Sequence, residues 1–197
     1  MCLPFVALAQ KQTIATDKAT YDGALWTKRL YYLQWIQGTD TYTYFKDGNL
    51  AIFDTKGAQV GAINLQKLSD TYKIEGFPNI TYIDGNQVVV ETSDHFYIYD
   101  YLIERPIFSI TIPEKAENRI YNHQQKAVAY TMDNNLFLAT ESDPRFPIAV
   151  SKDENIISGQ FIHRNEFGIQ GGIFWSPKGN YIAFYVKDVS QVQDYPL

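Results

Sequence analysis

One cysteine, Cys2, stands in the whole chain, so no internal disulfide can form, and no Cys/His cluster has the spacing of a zinc site. Histidine is almost as scarce. His95, His123 and His163 lie far apart, which argues against a His-rich metal centre, and neither a metal nor a cofactor is expected. No run of Lys or Arg occurs, and with a net charge of -5 the chain lacks the electrostatic footprint of a nucleic-acid binder. No segment approaches the roughly 18 apolar residues of a membrane helix, so no membrane partner is expected either. No serine sits in G-x-S-x-G, the strand-turn-helix that exposes a hydrolase nucleophile, and Gly-rich phosphate loops are missing. The chain thus carries no catalytic residue of its own. Its scattered acidic residues read as turn formers that bond nearby backbone amides.

What is abundant is hydrophobic and aromatic. Hydrophobic residues make up 45% and aromatic residues 15%, with 15 Tyr and 12 Phe, a composition that favours half-buried pleated surfaces and an all-β fold. A strand-turn-strand phrase recurs at Thr43 to Asp54, at Val89 to Asp100 and at Ala129 to Thr140. Each copy joins two alternating apolar runs through Asp, Gly, Asn or Ser, residues that tolerate positive φ. The copies are centred on Asp47, Asp94 and Asp133, and a spacing of about 40 to 50 residues is that of a four-stranded propeller blade. A fourth blade is announced by Ile173 to Tyr185, where Pro177 presets a turn and Gly179 supplies its left-handed position. The fold expected is a partial β-propeller of about four blades, and the edges an open ring would expose imply a truncated chain whose remaining blades follow Leu197. A short helix is expected within Asp17 to Leu33.

Met1 to Ala9 is a short apolar run ending in Ala7-Leu8-Ala9, the small-x-small pattern of a signal-peptidase site. It lacks a basic start and reads as a shortened signal peptide, or else as an apolar first strand. A lipid anchor is disfavoured because no apolar stretch precedes Cys2. On the first reading, residues 10 to 197 are the N-terminal portion of an exported propeller, periplasmic or extracellular.

One segment breaks the alternation. Ile156 to Ile169 gathers His163, Arg164, Asn165 and Glu166 between apolar strands, and by itself reads as a polar loop or short helix. His163-Arg164-Asn165-Glu166-Phe167-Gly168-Ile169, followed by Phe174-Trp175-Ser176-Pro177-Lys178-Gly179 and Ala183-Phe184-Tyr185, resembles the propeller of dipeptidyl peptidase IV-type enzymes of the prolyl oligopeptidase family. The variety resembled is that of Bacteroidetes-like bacteria, which includes prolyl tripeptidyl peptidases. The close likeness runs from about Lys126 to Leu197; upstream only the blade rhythm and Leu33-Gln34-Trp35 agree.

The resemblance implies an eight-bladed propeller capping an α/β-hydrolase domain that is absent here and bears the Ser, Asp and His. It also implies a propeller glutamate that holds the substrate's free amino group, and the matching residue is Glu166, with Asn165, Arg164 and His163 as supporting candidates. Many dipeptidyl peptidases carry two successive glutamates there, so Asn165-Glu166 leaves dipeptide and tripeptide release both open. Val186-Lys187-Asp188 departs from the usual Arg-Met-Asp while keeping Asp188. The expected partners are peptides with a free N-terminus and the missing hydrolase domain, with a homodimer left open. A stand-alone propeller binding module is the rival reading, since W-S-P-x-G hairpins also occur there.

Overall fold

A computed structural model describes residues 15–16, 29–161 and 171–192. The fold follows from alternation. Three stretches of chain each fold into a four-stranded antiparallel meander, and the outcome is the all-β partial propeller that the repeats imply. The first sheet holds β1 (Gln34–Trp35), β2 (Thr41–Lys46), β3 (Asn49–Asp54) and β4 (Gln59–Ile63). The second holds β5 (Asn79–Asp84), β6 (Gln87–Glu91), β7 (His95–Asp100) and β8 (Arg105–Thr111). The third holds β9 (Glu117–Asn122), β10 (Ala127–Met132), β11 (Asn135–Ala139) and β12 (Phe146–Ala149). The repeated phrases are thus the second and third strands of successive blades.

Successive side chains along a strand point to opposite faces, so the second and third sheets each pack on a neighbour from either face. Leu50 and Ile52 of β3 meet Val88, Val90 and Tyr99 of the second sheet. From the other face of that sheet, Val89, Phe96 and Ile98 meet Val128, Tyr130 and Phe137 of the third. Ala129 and Leu136 then face Ile173 at the start of the fourth unit. Burying each such aliphatic or aromatic side chain contributes about 1.5–3 kcal/mol. The polar tip of Tyr130 is satisfied, because its hydroxyl donates to the Pro144 carbonyl at 2.8 Å.

A row of first-to-second-strand turns ties the blades along one edge. Gln37 donates its N–H to the Ile83 carbonyl at 3.2 Å and accepts from the Gly85 N–H at 3.0 Å. Asp84 pairs with His123 across the next seam at 2.9 Å, and Gln125 donates to Asn180 across the one after at 3.4 Å.

Helix enters where it was not expected. Residues 17–28 of the segment assigned to a helix lie outside the described residues, and residues 29–33 form turn and irregular backbone with Tyr32 at φ 56. A helix that was not expected, α1 (Leu65–Tyr72), links the first two sheets and buries Leu65, Leu68 and Ser69. Asn64 caps it, accepting from the Lys67 N–H at 2.9 Å, and Lys73 closes it in the left-handed conformation. The candidate leader, Met1 to Ala9, also lies outside the described residues.

Candidate functional site

The fourth unit departs from the meander. It comprises β13 (Ile156–Ser158), β14 (Ile173–Trp175), β15 (Ile182–Phe184) and β16 (Val186–Asp188). β14 pairs with β15 through the expected hairpin, where the Gly179 N–H donates to the Ser176 carbonyl at 2.8 Å and Gly179 has φ 71. β13 pairs with β16, Ile156 opposite Asp188 and Ser158 opposite Val186.

Tyr185 lies at the junction. In an antiparallel ladder one residue exchanges both backbone bonds with a single partner. Here the Tyr185 carbonyl accepts from the Gly159 N–H at 2.8 Å, while the Tyr185 N–H donates to the Gly172 carbonyl at 3.0 Å. β13 and β14 are therefore one strand in two pieces, collinear along a common partner, with the chain leaving after Gly159 and returning at Gly172.

Two glycines make that neck. Gly159 has φ 77, and a Cβ there would stand 2.9 Å from Thr131 Cγ2 and 3.1 Å from Leu136 Cδ1 in the third sheet. At Gly172 a Cβ would overlap the Gln160 carbonyl group and the Gly159 oxygen. Both limbs come together only because neither position carries a side chain.

The neck is seated on the β10–β11 turn, where Asp133 and Asn134 have φ 50 and 63. The Asn134 carbonyl accepts from the Ser158 N–H at 2.8 Å. Its side-chain oxygen accepts from the Gln160 amide at 3.4 Å, and its side-chain nitrogen donates to the Glu154 carbonyl at 3.3 Å. On the return limb, Trp175 donates its indole N–H to the Ile120 carbonyl at 3.2 Å.

His163, Arg164, Asn165 and Glu166 lie outside the described residues, within 162–170. What is described is the frame from which that run departs. The opening of the segment assigned to a loop or short helix is strand, since Ile156–Ser158 is β13. Gly159, Gly172 and Asn134 were not singled out from sequence, although glycines on both sides of a polar run were a visible signal. Asp188 lies on β16, and its carboxylate is held below the usual range by hydrogen bonds from Ser190. Among the described residues no group of three or more His, Cys, Asp or Glu is placed to hold a metal. A cavity of about 540 Å³ between the third sheet and the β14–β15 hairpin is lined by Leu138, Ile148, Trp175, Tyr181 and Ile182, away from the neck.

The chain matches the family described as Dipeptidyl peptidase IV (DPP IV) N-terminal region over residues 83–197. A curated relative from Talaromyces marneffei, assigned as a dipeptidyl-aminopeptidase B, is 29% identical over 93 residues, covering 43% of this chain and 10% of that protein. A solved structure from Bacteroides ovatus, assigned as a dipeptidyl aminopeptidase IV, is 30% identical with a TM-score of 0.69, covering 86% of this chain and 24% of its own. Dipeptidyl peptidase 4 of Porphyromonas gingivalis shares the fold at 16% identity and a TM-score of 0.58, covering 95% of this chain and 29% of that one. The chain therefore spans a quarter or less of the length of the first two relatives and belongs to the dipeptidyl peptidase IV N-terminal region family.

Proposed function

We propose that this chain is the amine-anchoring part of the propeller of an exported serine exopeptidase, which releases di- or tripeptides from peptide N-termini with a preference for proline before the cleaved bond. The propeller limits access to a hydrolase domain that supplies the nucleophile, and Glu166 pairs with the substrate ammonium. One observation carries the reading. In a chain of this family, the strand bearing the fourth blade is split between Gly159 and Gly172, where the sequence places His163-Arg164-Asn165-Glu166.

The chemistry fits such an anchor. A peptide α-amino group has a pKa of about 8, so it is mostly protonated at neutral pH and offers three donors to a carboxylate. A charge-assisted bond of this kind contributes about 1.5–3 kcal/mol, enough to favour free N-termini over internal peptide bonds. The anchor also measures length, because one extended residue spans about 3.3–3.6 Å.

In the complete peptidase, Glu166→Gln keeps the shape and removes the charge. Removing one partner of a buried charge pair costs about 2–5 kcal/mol, so kcat/KM for free-amine peptides is expected to fall roughly 30-fold to several thousand-fold. Substrates with a blocked N-terminus lose far less. Equal losses on both substrate types would remove Glu166 from the site.

A further inference from the structure

We propose that the cavity beside the β14–β15 hairpin is the seat of the third and fourth strands of the fourth unit, an antiparallel hairpin that the same polypeptide supplies beyond Leu197. This inference does not depend on the role given to Glu166.

The backbone there has an open edge. Along β15 and β16 the odd-numbered residues bond to the first strand of the unit. The Tyr181 carbonyl accepts from the Ser176 N–H at 2.9 Å, Tyr185 bonds Gly159 and Gly172, and the Val189 N–H donates to the Asn155 carbonyl at 2.9 Å. Successive residues of a strand turn their backbone groups to opposite sides. Ile182, Phe184, Val186 and Asp188 therefore direct theirs to the far side, where no described strand pairs with them. Such a row of donors and acceptors is a template for one more strand.

The side chains leave a matching gap. At the first seam, Leu50, Ile52 and Ile63 cluster with Val88 and Val90 of β6 and with Tyr99 of β7. At the second, Val89, Phe96, Ile98 and Ile110 cluster with Val128 and Tyr130 of β10 and with Phe137 and Ala139 of β11. In both, the third strand of the following sheet belongs to the core. At the third seam the fourth unit brings only Ile173, Trp175, Ile182 and Phe184, from its first two strands. Leu138 and Ile148 line the cavity of about 540 Å³ instead, and Phe146, paired opposite Leu138, is 51% exposed. Ile110, on the corresponding strand of the second sheet, is fully buried.

Edge and gap fit one occupant. A strand laid on the open edge directs every second side chain at Leu138 and Ile148, so it must carry apolar residues at alternate positions. The strand after it covers Phe146. In the complete sheets these two strands run from His95 to Thr111 and from Asn135 to Ala149. The second and third strands are joined there by short turns, which makes the same polypeptide the source. Tethering gives a strand a high effective concentration at its edge, which a separate peptide lacks. The solved structures that share the fold are longer, since this chain covers 24% of one and 29% of the other.

The test compares the 197-residue chain with the complete polypeptide, both carrying Cys2→Ser so that an introduced thiol is the only one. In the complete polypeptide the amides of Ile182, Phe184 and Val186 are expected to exchange at least ~100-fold more slowly than in the 197-residue chain. With Ile148→Cys, iodoacetamide should label the complete polypeptide at least ~100-fold more slowly than the same protein unfolded in urea. Fast exchange at all three amides, or a freely labelled thiol, would overturn the proposal. So would protection of these amides in the 197-residue chain that grows with its concentration, since the occupant would then be a second copy. A gene that encodes no alternating apolar run after Leu197 would overturn it as well. Should the 197-residue chain fail to fold, exchange is referred to the urea-unfolded complete polypeptide, and Phe146→Cys stands in for Ile148→Cys if that variant is unstable. Neither readout involves substrate, so the outcome leaves the Glu166 reading untouched.

Discussion

Tyr121 is wedged at the seam of the second and third sheets, stacked on Phe96 at 6.1 Å and edge-on to Tyr82 at 6.4 Å. Burial, with Tyr82 and Asp84 adding to it, pushes its phenol from 10.0 up to about 12. The native state thus keeps a proton that the unfolded chain gives up near the lower value. Stability is whole below that value and is lost as pH rises through the window between the two. Tyr121→Phe should flatten the decline in denaturation midpoint across this range, and an unchanged slope would locate the alkaline sensitivity elsewhere. Glu91 runs in a related sense at lower pH. Burial raises its carboxyl despite Arg119 at 3.8 Å, so stability falls as pH climbs through the carboxylate range. Neither shift could be read from sequence, because each depends on what a different blade presses against the side chain. The polar run at His163 to Glu166 stands out in the sequence for the opposite reason, since it interrupts an otherwise regular alternation. Asn134 was not, since an Asx residue in a hairpin turn already has a local explanation.

At the scale of elements, the hairpins were legible where turn chemistry and alternation agreed. Asp47-Gly48 and Asp133-Asn134 adopt positive φ as the repeats imply, with Lys46 facing Asn49 and Met132 facing Asn135. The middle copy turns differently. Its Thr92 N–H donates to the His95 carbonyl, its hydroxyl bonds Asp94, and none of its turn residues has positive φ. The flanking strands were harder to read. Register shifts between Ile98 and Tyr99, between Ala129 and Thr131 and between Leu136 and Phe137 break the two-residue period on which a strand assignment rests. Helix α1 was missed because its signal is short: one capping Asn64 and apolar contacts from Leu65 and Leu68. Both are testable. Asn64→Ala should cost about 1 kcal/mol in urea unfolding. Leu68→Ala, at a fully buried position, should cost about 2–5 kcal/mol. A Leu68 effect no larger than that of Asn64 would mean the helix merely rests on the sheets.

In the whole molecule, the first sheet buries one face against the second and carries an aromatic cluster on the other. On that face Tyr44 stacks on Phe53 at 4.5 Å, Tyr42 joins them, and Trp35 meets Tyr42 edge-on while 57% exposed. An exposed ring such as Trp35 at the rim of an aromatic cluster favours association. The isolated chain should show β-rich circular dichroism and concentration-dependent self-association in sedimentation, reduced by Trp35→Ser; a monomer at all concentrations would count against it. It should also fail to hydrolyse proline-containing aminoacyl reporters. The split at Tyr185 reaches further than either expectation. Because one residue's pair of backbone bonds is shared between Gly159 and Gly172, the fourth sheet counts those two as a single step and does not count what lies between. Residues can be added or removed between the two glycines while no strand on either side has to slip.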